Sequence, residues 1–258
     1  MALCSVESAS GVYRLWLDRP EARNALSAAM VRELTAAIES IRAARDVRCV
    51  IVAGRTAAAF CAGADLKERN QMTEREARDA VDAIGAAVGA LAAVPAPVLA
   101  AVRGVALGGG LELALACDLR VAAADAVLGL PETRLAIIPG AGGTQRLARI
   151  AGIARAKELI FTGRRFSGAE ALAMGVVDRA VPDDLVMAAA ADLAGEISRG
   201  GPLALRAAKQ AIEDGFGGTL AAGLQVERAA YDTLLPTEDR REGLLAFREK
   251  RPPQYRGR

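Results

Sequence analysis

The chain has 258 residues, of which 52% are hydrophobic and 25% are charged, and its formal net charge is +2. These values predict a globular protein with a substantial core, and they give no general reason to expect nucleic acid or an acidic membrane as a partner. The sequence contains no histidine, which excludes Ser-His-Asp and Cys-His catalytic arrangements and most zinc sites. Proton transfer near neutral pH therefore falls to carboxylates, thiols, lysine or tyrosine.

The cysteines and the amino terminus indicate the compartment. The four cysteines show no metal-ligand spacing and have apolar neighbours, which favours buried, reduced thiols. No apolar run reaches the roughly 18 residues that a membrane helix needs. The amino terminus lacks the pattern of a targeting segment, and strand-like sequence begins almost at once. We therefore expect a cytoplasmic protein with no membrane partner.

Strand and helix patterns alternate along most of the chain. Alternating apolar residues predict a strand over residues 12–17, and apolar residues at helical spacing predict a helix over residues 26–45. Further buried strands are predicted over residues 49–53, 98–102 and 119–123, the last after a short apolar helix over residues 111–117. This alternation continues to about residue 190 and indicates an α/β fold.

The last stretch has helical spacing without strands between the helices. Its three segments are residues 203–212, 220–234 and 240–250. Because their apolar faces are long, we expect them to pack on the main body or on another subunit. The sequence therefore divides into a core, residues 1–195, and a C-terminal helical region, residues 196–258.

Two loops that follow buried strands could approach a ligand closely. Residues 108–110 are three glycines that open a helix, where backbone N–H groups and the helix dipole favour an anionic oxygen. Residues 60–66 form a second loop of small residues. Two N–H donors from separate loops that converge on one oxygen make an oxyanion hole. The glycines alone are equally typical of a tight strand-to-helix turn.

Two glutamates are the candidate acid and base. Glu112 lies in the first turn of an apolar helix, where a carboxylate is costly unless it has a partner or a function. Glu132 follows Pro131 and could be only a helix-start residue. Paired carboxylates divide into an acid and a base when their surroundings separate their pKa values. A third glycine-rich segment, residues 139–146, lacks the Gly-Lys-Ser/Thr ending of a Walker nucleotide site.

Taken together, these segments resemble the enoyl-CoA hydratase (crotonase) superfamily. The shared pieces are, in order, residues 19–26, 60–67, 104–118, 131–132 and 138–147. The resemblance implies a crotonase-like spiral of ββα units, with C-terminal helices that build a homo-oligomer, a trimer or a dimer of trimers. It also implies that the N–H groups of Ala62 and Gly109 form the oxyanion hole and that Glu112 and Glu132 are catalytic.

The resemblance is closest to 3-methylglutaconyl-CoA hydratases, in residues 67–69, 111–118, 132–139 and 236–253. The presence of both glutamates favours hydration or dehydration over isomerisation. The implied reaction adds or removes water across the α,β bond of 3-methylglutaconyl-CoA or 3-hydroxy-3-methylglutaryl-CoA, in leucine or isovalerate-type branched-chain metabolism. A short-chain enoyl-CoA hydratase of fatty-acid β-oxidation is the alternative.

The implied substrate carries coenzyme A, and the resemblance implies no metal or redox cofactor. The implied CoA contacts are Arg23, Ala62, Ala64, Asp65, Leu66, Phe247 and Lys250, the last two from a neighbouring subunit. The 3-methylglutaconyl group ends in a carboxylate, and burying that charge without a partner would be costly. Arg69 and Arg134 are the candidate partners, or each could be only a surface arginine.

RNA binding is the non-enzymatic alternative, because a mammalian relative in the resembling subfamily binds AU-rich RNA. That relative has a lysine-rich first helix. Residues 19–48 of this chain contain six arginines, four acidic residues and no lysine. Phosphate binding favours a denser basic patch, so this mixed surface indicates a solvated face and disfavours nucleic acid as a partner.

Overall fold

Two sheets form the centre of the molecule in the computed structural model, which describes residues 2–258. The strands are β1 (Cys4–Ala9), β2 (Val12–Leu17), β3 (Cys49–Gly54), β4 (Val98–Val102), β5 (Val105–Leu107), β6 (Leu119–Ala123), β7 (Val127–Gly129), β8 (Phe166–Ser167) and β9 (Arg179–Val181). The helices of the main body are α1 (Ala28–Ala43), α2 (Leu66–Arg69), α3 (Glu74–Ala92), α4 (Gly109–Leu115), α5 (Gly143–Ala151), α6 (Ile153–Thr162), α7 (Gly168–Ala173) and α8 (Val186–Ser198). The C-terminal helices are α9 (Pro202–Phe216), α10 (Leu220–Leu234) and α11 (Glu238–Glu249).

The larger sheet has the order β1-β2-β3-β4-β6-β9, and all its pairs are parallel except β1 with β2. The smaller sheet has the order β5-β7-β8, with β5 parallel and β8 antiparallel to β7. The consecutive strands β4 and β5 lie in different sheets, as do β6 and β7. The chain therefore visits both sheets before it enters a helix, which produces a spiral of ββα turns.

The core forms where the sequence predicts buried strands and helix faces. The residues of β3 and β4 are almost wholly buried, as expected for parallel strands covered on both faces. Helix α1 buries Met30, Leu34, Ile38 and Ile41 on one face. It begins at Ala28 rather than at Leu26, because the Ser27 hydroxyl accepts the Met30 N–H and caps the helix.

The C-terminal helices are anchored by a few polar contacts. Lys209 Nζ of α9 lies 2.9 Å from Oδ2 of Asp118, the residue before β6, and Arg206 Nη2 donates to the Val47 carbonyl. Helix α8 runs through residue 195 to Ser198, so the division at this residue stays a prediction. Large apolar side chains of these helices are exposed within this chain: Ile212, Phe216, Leu220, Leu224, Leu244 and Phe247. Within residues 2–258, no helix is both long and apolar enough for a membrane crossing.

Candidate active site

The turn between β5 and α4 can be built only from glycine at two positions. Gly108 has φ 52° and ψ −126°, a backbone region that is nearly restricted to glycine. A Cβ atom on Gly110 would lie 2.1 Å from the Cys61 carbonyl oxygen. The turn therefore packs directly against the Cys61 loop, and the N–H of Gly109 at the first helical position has no acceptor among the described residues.

The loop from Cys61 to Ala64 uses some of its N–H groups and leaves one open. The Cys61 N–H donates to the Val105 carbonyl at 3.0 Å, and the Ala62 N–H donates to the Arg23 carbonyl at 2.9 Å. Gly63 then adopts φ 92°, which breaks the regular alternation of N–H directions along an extended chain. Within residues 2–258, the Ala64 N–H has no acceptor.

The two open N–H groups lie side by side. A Cβ atom on Gly109 would be 3.8 Å from the Ala64 nitrogen, and a Cβ atom on Gly63 would be 3.3 Å from the Gly109 nitrogen. The prediction that Ala62 supplies an oxyanion donor is wrong, because its N–H is already bonded to the Arg23 carbonyl. Ala64 has the available donor beside Gly109, and the glycine before it is the sequence signal that could have identified it.

Glu112 is held by two backbone N–H donors of one loop. The residue is 3% exposed, and its Oε1 accepts the N–H groups of Ala141 and Gly143, both at 2.7 Å. Gly143 begins α5, so Glu112 caps that helix from α4. Burial raises the pKa of Glu112 above its ordinary value, while the two N–H donors and the positive charge of Arg146 oppose this rise. Its second oxygen, Oε2, makes no hydrogen bond within the described chain.

Glu132 lacks the backbone N–H donors that hold Glu112. It starts a short 3-10 helix after β7, and its Oε1 is 3.0 Å from the position that a Cβ on Gly108 would occupy. Its Oε2 is buried and has no hydrogen-bond partner among residues 2–258. Burial raises the pKa of Glu132 to about 7, and the negative charge of Glu112 adds to the rise. This carboxyl can therefore gain or lose a proton near neutral pH.

These groups can perform acid–base chemistry beside an oxyanion. The Glu132 carboxyl lies against the glycine turn that presents the Gly109 N–H, and its pKa responds to the charge of Glu112. The Ala64 N–H completes the pair of open donors. A carbonyl oxygen held by both donors would have one ionised and one protonated carboxyl nearby.

Asp65, one of the implied CoA contacts, has a structural role for its side chain. Its Oδ1 accepts the N–H groups of Lys67 and Glu68 and so caps α2. Its Oδ2 is 2.7 Å from Arg19 Nη1, and this ion pair lowers the pKa of Asp65. The carboxylate is thus occupied by the chain itself.

The other implied CoA contacts fall in two separate places. Arg23 and Leu66 are exposed beside the Ala64 loop. Phe247, which is 86% exposed, and Lys250 lie at the end of α11. No hydrogen bond or ion pair within residues 2–258 joins them to the candidate active site, so their action from a neighbouring subunit stays a prediction.

A cleft of about 560 Å³ lies between α1, α2 and α3. Its apolar lining includes Leu26, Val31 and Ile84, and it meets the candidate active site at Ala64. Arg69 also lines the cleft, and its half-buried guanidinium forms no hydrogen bond or ion pair within residues 2–258. The lining also contains Arg32 and the acidic side chains of Glu39, Asp65, Glu68, Glu76 and Asp79. A negatively charged group in the cleft would therefore find its favourable contact locally, at the unpaired Arg69.

Arg134 differs from Arg69 in both respects. It is exposed, and its Nε donates to the Thr162 carbonyl at 2.8 Å. It does not line the cleft. Arg69 therefore lies in the cleft that meets Ala64, whereas the Arg134 side chain lies against Gly163 and Thr162.

Comparisons with known proteins agree with this geometry. The chain matches the family described as enoyl-CoA hydratase/isomerase over residues 7–258. It is 54% identical to YngF of Bacillus subtilis (strain 168) over 241 residues, which cover 93% of each chain. It is 47% identical to the human mitochondrial methylglutaconyl-CoA hydratase over 255 residues, which cover 97% of this chain and 75% of the relative.

The fold is also that of a solved relative. The crystal structure of enoyl-CoA hydratase from Bacillus anthracis superposes with a TM-score of 0.97 at 49% sequence identity, and the match covers 99% of this chain and 100% of the other. The predicted crotonase fold, with its α/β core and C-terminal helical region, is thereby confirmed. The chain belongs to the enoyl-CoA hydratase/isomerase family of the crotonase superfamily.

Proposed function

We propose that this protein is an acyl-CoA hydro-lyase that adds water to, or removes water from, the α,β bond of an enoyl-CoA thioester. The observation that carries the proposal is the contrast between the two carboxyls beside two open N–H donors. Glu112 is held by donors that favour its ionised form, and the pKa of Glu132 is raised to about 7. Such a pair can supply a base and an acid at the same pH.

The oxyanion donors act on the thioester. Its carbonyl oxygen accepts hydrogen bonds from the Ala64 and Gly109 N–H groups, and negative charge grows on this oxygen as water attacks the β-carbon. Loss of one donor of this kind costs about 3 kcal/mol of barrier stabilisation. Both donors belong to the backbone and are fixed by glycine turns, so they need no rearrangement during the reaction.

The two glutamates move the protons. Glu112 accepts a proton from the attacking water through its free Oε2, and the resulting hydroxyl bonds to the β-carbon. Protonated Glu132 delivers its proton to the α-carbon. One proton is taken up and one is released, and exchange with solvent then restores the starting states. Dehydration follows the same path in reverse.

For the acyl group, we propose 3-methylglutaconyl-CoA, with 3-hydroxy-3-methylglutaryl-CoA as its hydrated form, in branched-chain metabolism. Two observations support this choice: the identity to a relative that is named methylglutaconyl-CoA hydratase, and the unpaired Arg69 in the cleft that meets Ala64. A cation at this place would stabilise the distal carboxylate. A simple short-chain enoyl-CoA has no such group and would leave Arg69 unused.

The deciding experiment compares turnover of 3-methylglutaconyl-CoA and crotonyl-CoA, followed by loss of the conjugated enoyl-thioester absorbance. We expect a higher kcat/KM for the carboxylated substrate. A preference for crotonyl-CoA would favour the short-chain hydratase, and absence of turnover with both would contradict the hydratase proposal itself.

We also propose that the chain works as a homo-oligomer, a trimer or a dimer of trimers. The large apolar side chains that α9, α10 and α11 expose support this, since a concentration of exposed apolar side chains is typical of interfaces. Light scattering of the purified protein across a dilution series measures the assembly. A monomer at micromolar concentration would contradict it.

A further inference from the structure

Arg146, in the first turns of α5, is a guanidinium without a carboxylate in direct contact. Within residues 2–258 it forms no ion pair, although its side chain is partly buried. Its Nη1 donates to the Ala141 carbonyl at 2.9 Å, while the N–H of the same Ala141 donates to Glu112. A Cβ atom on Gly142 would lie 2.1 Å from Arg146 Nη1. The guanidinium therefore lies directly against the loop that holds Glu112.

The charge of Arg146 also acts on Glu112. The positive charge opposes the rise that burial causes in the pKa of Glu112, and the negative charge of Glu112 opposes the fall that burial causes in the pKa of Arg146. Cys117 is the other titratable group that faces Arg146, and burial raises its pKa to about 12. It is therefore neutral in the working range of the protein.

The other elements packed against α4 bring no competing cation. Strand β5 contains only Val105, Ala106 and Leu107, and the buried face of α3 is apolar. Glu132 contributes a negative charge when it is ionised, and this charge disfavours ionisation of Glu112. Among the described residues, the cation that favours the ionised form of Glu112 is Arg146.

We propose that Arg146 is a positioning residue for Glu112, which braces the donor loop at residues 139–143 and keeps the carboxylate ionised. The proposal rests on the proposed role of Glu112 as the base. Without the cation, the buried carboxylate holds its proton to higher pH and fewer molecules carry an active base. Arg146 does not line the cleft at Ala64, so substrate binding should be nearly unaffected.

The test separates the charge of Arg146 from its hydrogen bond. Arg146→Gln keeps a donor for the Ala141 carbonyl and removes the charge, and Arg146→Lys keeps the charge. Arg149→Gln is the matched control on the same helix, because Arg149 is exposed and donates to Gln145. Thermal unfolding of each variant checks that the fold is intact.

We expect the acid limb of the kcat/KM profile to move to higher pH in Arg146→Gln. At a fixed pH on the acid side of that limb, kcat/KM should be lower in Arg146→Gln than in the unmodified protein, by about tenfold for each pH unit by which the limb moves. KM should change little. Arg146→Lys should restore the position of the limb, and Arg149→Gln should match the unmodified protein.

A second measurement needs no turnover. In protein labelled with 13C at the glutamate carboxyls, the Glu112 resonance is identified by its absence in Glu112→Gln. It should titrate at higher pH in Arg146→Gln than in the unmodified protein. An unchanged titration together with an unmoved acid limb would overturn the proposal, even if kcat falls. If the unmodified protein hydrates no enoyl-CoA, the proposed function fails, and the NMR titration still decides whether Arg146 controls Glu112.

Discussion

Two parts of the candidate site differ in whether their polar groups have hydrogen-bond partners. At the junction of α4 and α5, Glu112 Oε1 has two N–H donors and a nearby cation. At the glycine turn and the Ala64 loop, Glu132 Oε2 and the N–H groups of Ala64 and Gly109 have no partner within residues 2–258. Buried polar groups are almost always paired in folded proteins. Ser198 Oγ and Arg206 Nε are also buried without a partner, but they lie outside the candidate site. The comparison teaches that, within the site, the unpaired groups cluster where a ligand or water could satisfy them.

The largest expected effect comes from removing either carboxylate. Glu112→Gln and Glu132→Gln should each lower kcat by roughly 10²–10⁴-fold, because each keeps the side-chain shape and removes proton transfer. Enoyl-CoA turnover measures the loss. Near-normal turnover in either variant would contradict the two-glutamate mechanism.

The free energy of unfolding should respond differently to Glu112→Gln and to Glu132→Gln. Glu112→Gln retains an acceptor for the Ala141 and Gly143 N–H groups, and it removes a charge that burial disfavours. The weaker hydrogen bonds and the relieved burial of charge oppose each other, so we expect little change in the free energy of unfolding. Glu132→Gln removes a carboxyl whose buried Oε2 has no partner, so above pH 7 it should be at least as stable as the unmodified protein. Thermal unfolding at pH 8 checks both expectations. Unfolding of both variants would leave the glutamates with only a structural role.

The pH dependence of kcat/KM should report the protonation of Glu132. Glu132 must be protonated to deliver its proton, and its pKa is about 7, so kcat/KM for hydration should fall about tenfold per pH unit above that value. The two carboxyls titrate as a coupled pair, so the acid and alkaline limbs belong to the pair. A flat profile between pH 7 and 9 would show that Glu132 does not supply the proton.

The same raised pKa has a consequence for folding. Folded Glu132 holds its proton more tightly than the unfolded chain does, so its contribution to stability is fully present below the ordinary pKa of 4.5 and is lost as pH rises to about 7. Denaturant unfolding at pH 5 and pH 8 should show this loss in the unmodified protein. Glu132→Gln should show a smaller difference between the two pH values.

Arg69, in the cleft, is another polar side chain without a hydrogen-bond or ion-pair partner within residues 2–258. Arg69→Met should lower kcat/KM for 3-methylglutaconyl-CoA by one to two orders of magnitude, as expected from about 1.5–3 kcal/mol for a charge-assisted hydrogen bond. Crotonyl-CoA turnover should change little. Arg75→Met, at an exposed arginine of α3 outside the cleft, is the matched control. Equal losses on both substrates would show that Arg69 supports the oxyanion loop or the CoA end instead.

The sequence predicts much of the fold, because long elements carry a periodic signal. The buried runs that became β3, β4 and β6 and the apolar face of α1 are visible without any structure. The strands β7 and β8 have three and two residues, which is too short for any period. The boundary placed after residue 195 followed the change in pattern and not the course of α8.

The site was predictable in its side chains and less so in its backbone. The two glutamates and the glycine turn carry recognisable residue types. The acceptor of a particular N–H depends on a distant segment, and the Ala62 N–H meets the Arg23 carbonyl only after the chain folds. Arg146 contacts the donor loop only five residues before it, whereas Glu112 reaches the same loop through the packing of α4 on α5. The link between Arg146 and Glu112 is therefore visible only in the folded structure.

The smallest expected effect lies at the C-terminal helices, where Lys250 is also open within this chain. If Lys250 pairs with a phosphate of CoA, Lys250→Gln should raise KM for acyl-CoA about fivefold at low salt, as expected for about 1 kcal/mol at an exposed ion pair, and leave kcat nearly unchanged. The effect should weaken as ionic strength rises. Lys157→Gln, at an exposed lysine of α6, is the matched control. An unchanged KM at low salt would mean that Lys250 is only a solvated side chain.

Mixed oligomers would show which subunit supplies Lys250. Subunits with Lys250→Gln keep both glutamates, and subunits with Glu132→Gln keep Lys250 but are inactive. If Lys250 acts across an interface, mixing the two types places a native Lys250 beside an active pair of glutamates, and a fraction of the sites should recover the KM of the unmodified protein. If Lys250 acts within its own subunit, every active site in the mixture lacks it. The KM should then equal that of Lys250→Gln alone. Lys250 and the cleft at Ala64 of the same subunit would then bind one CoA molecule.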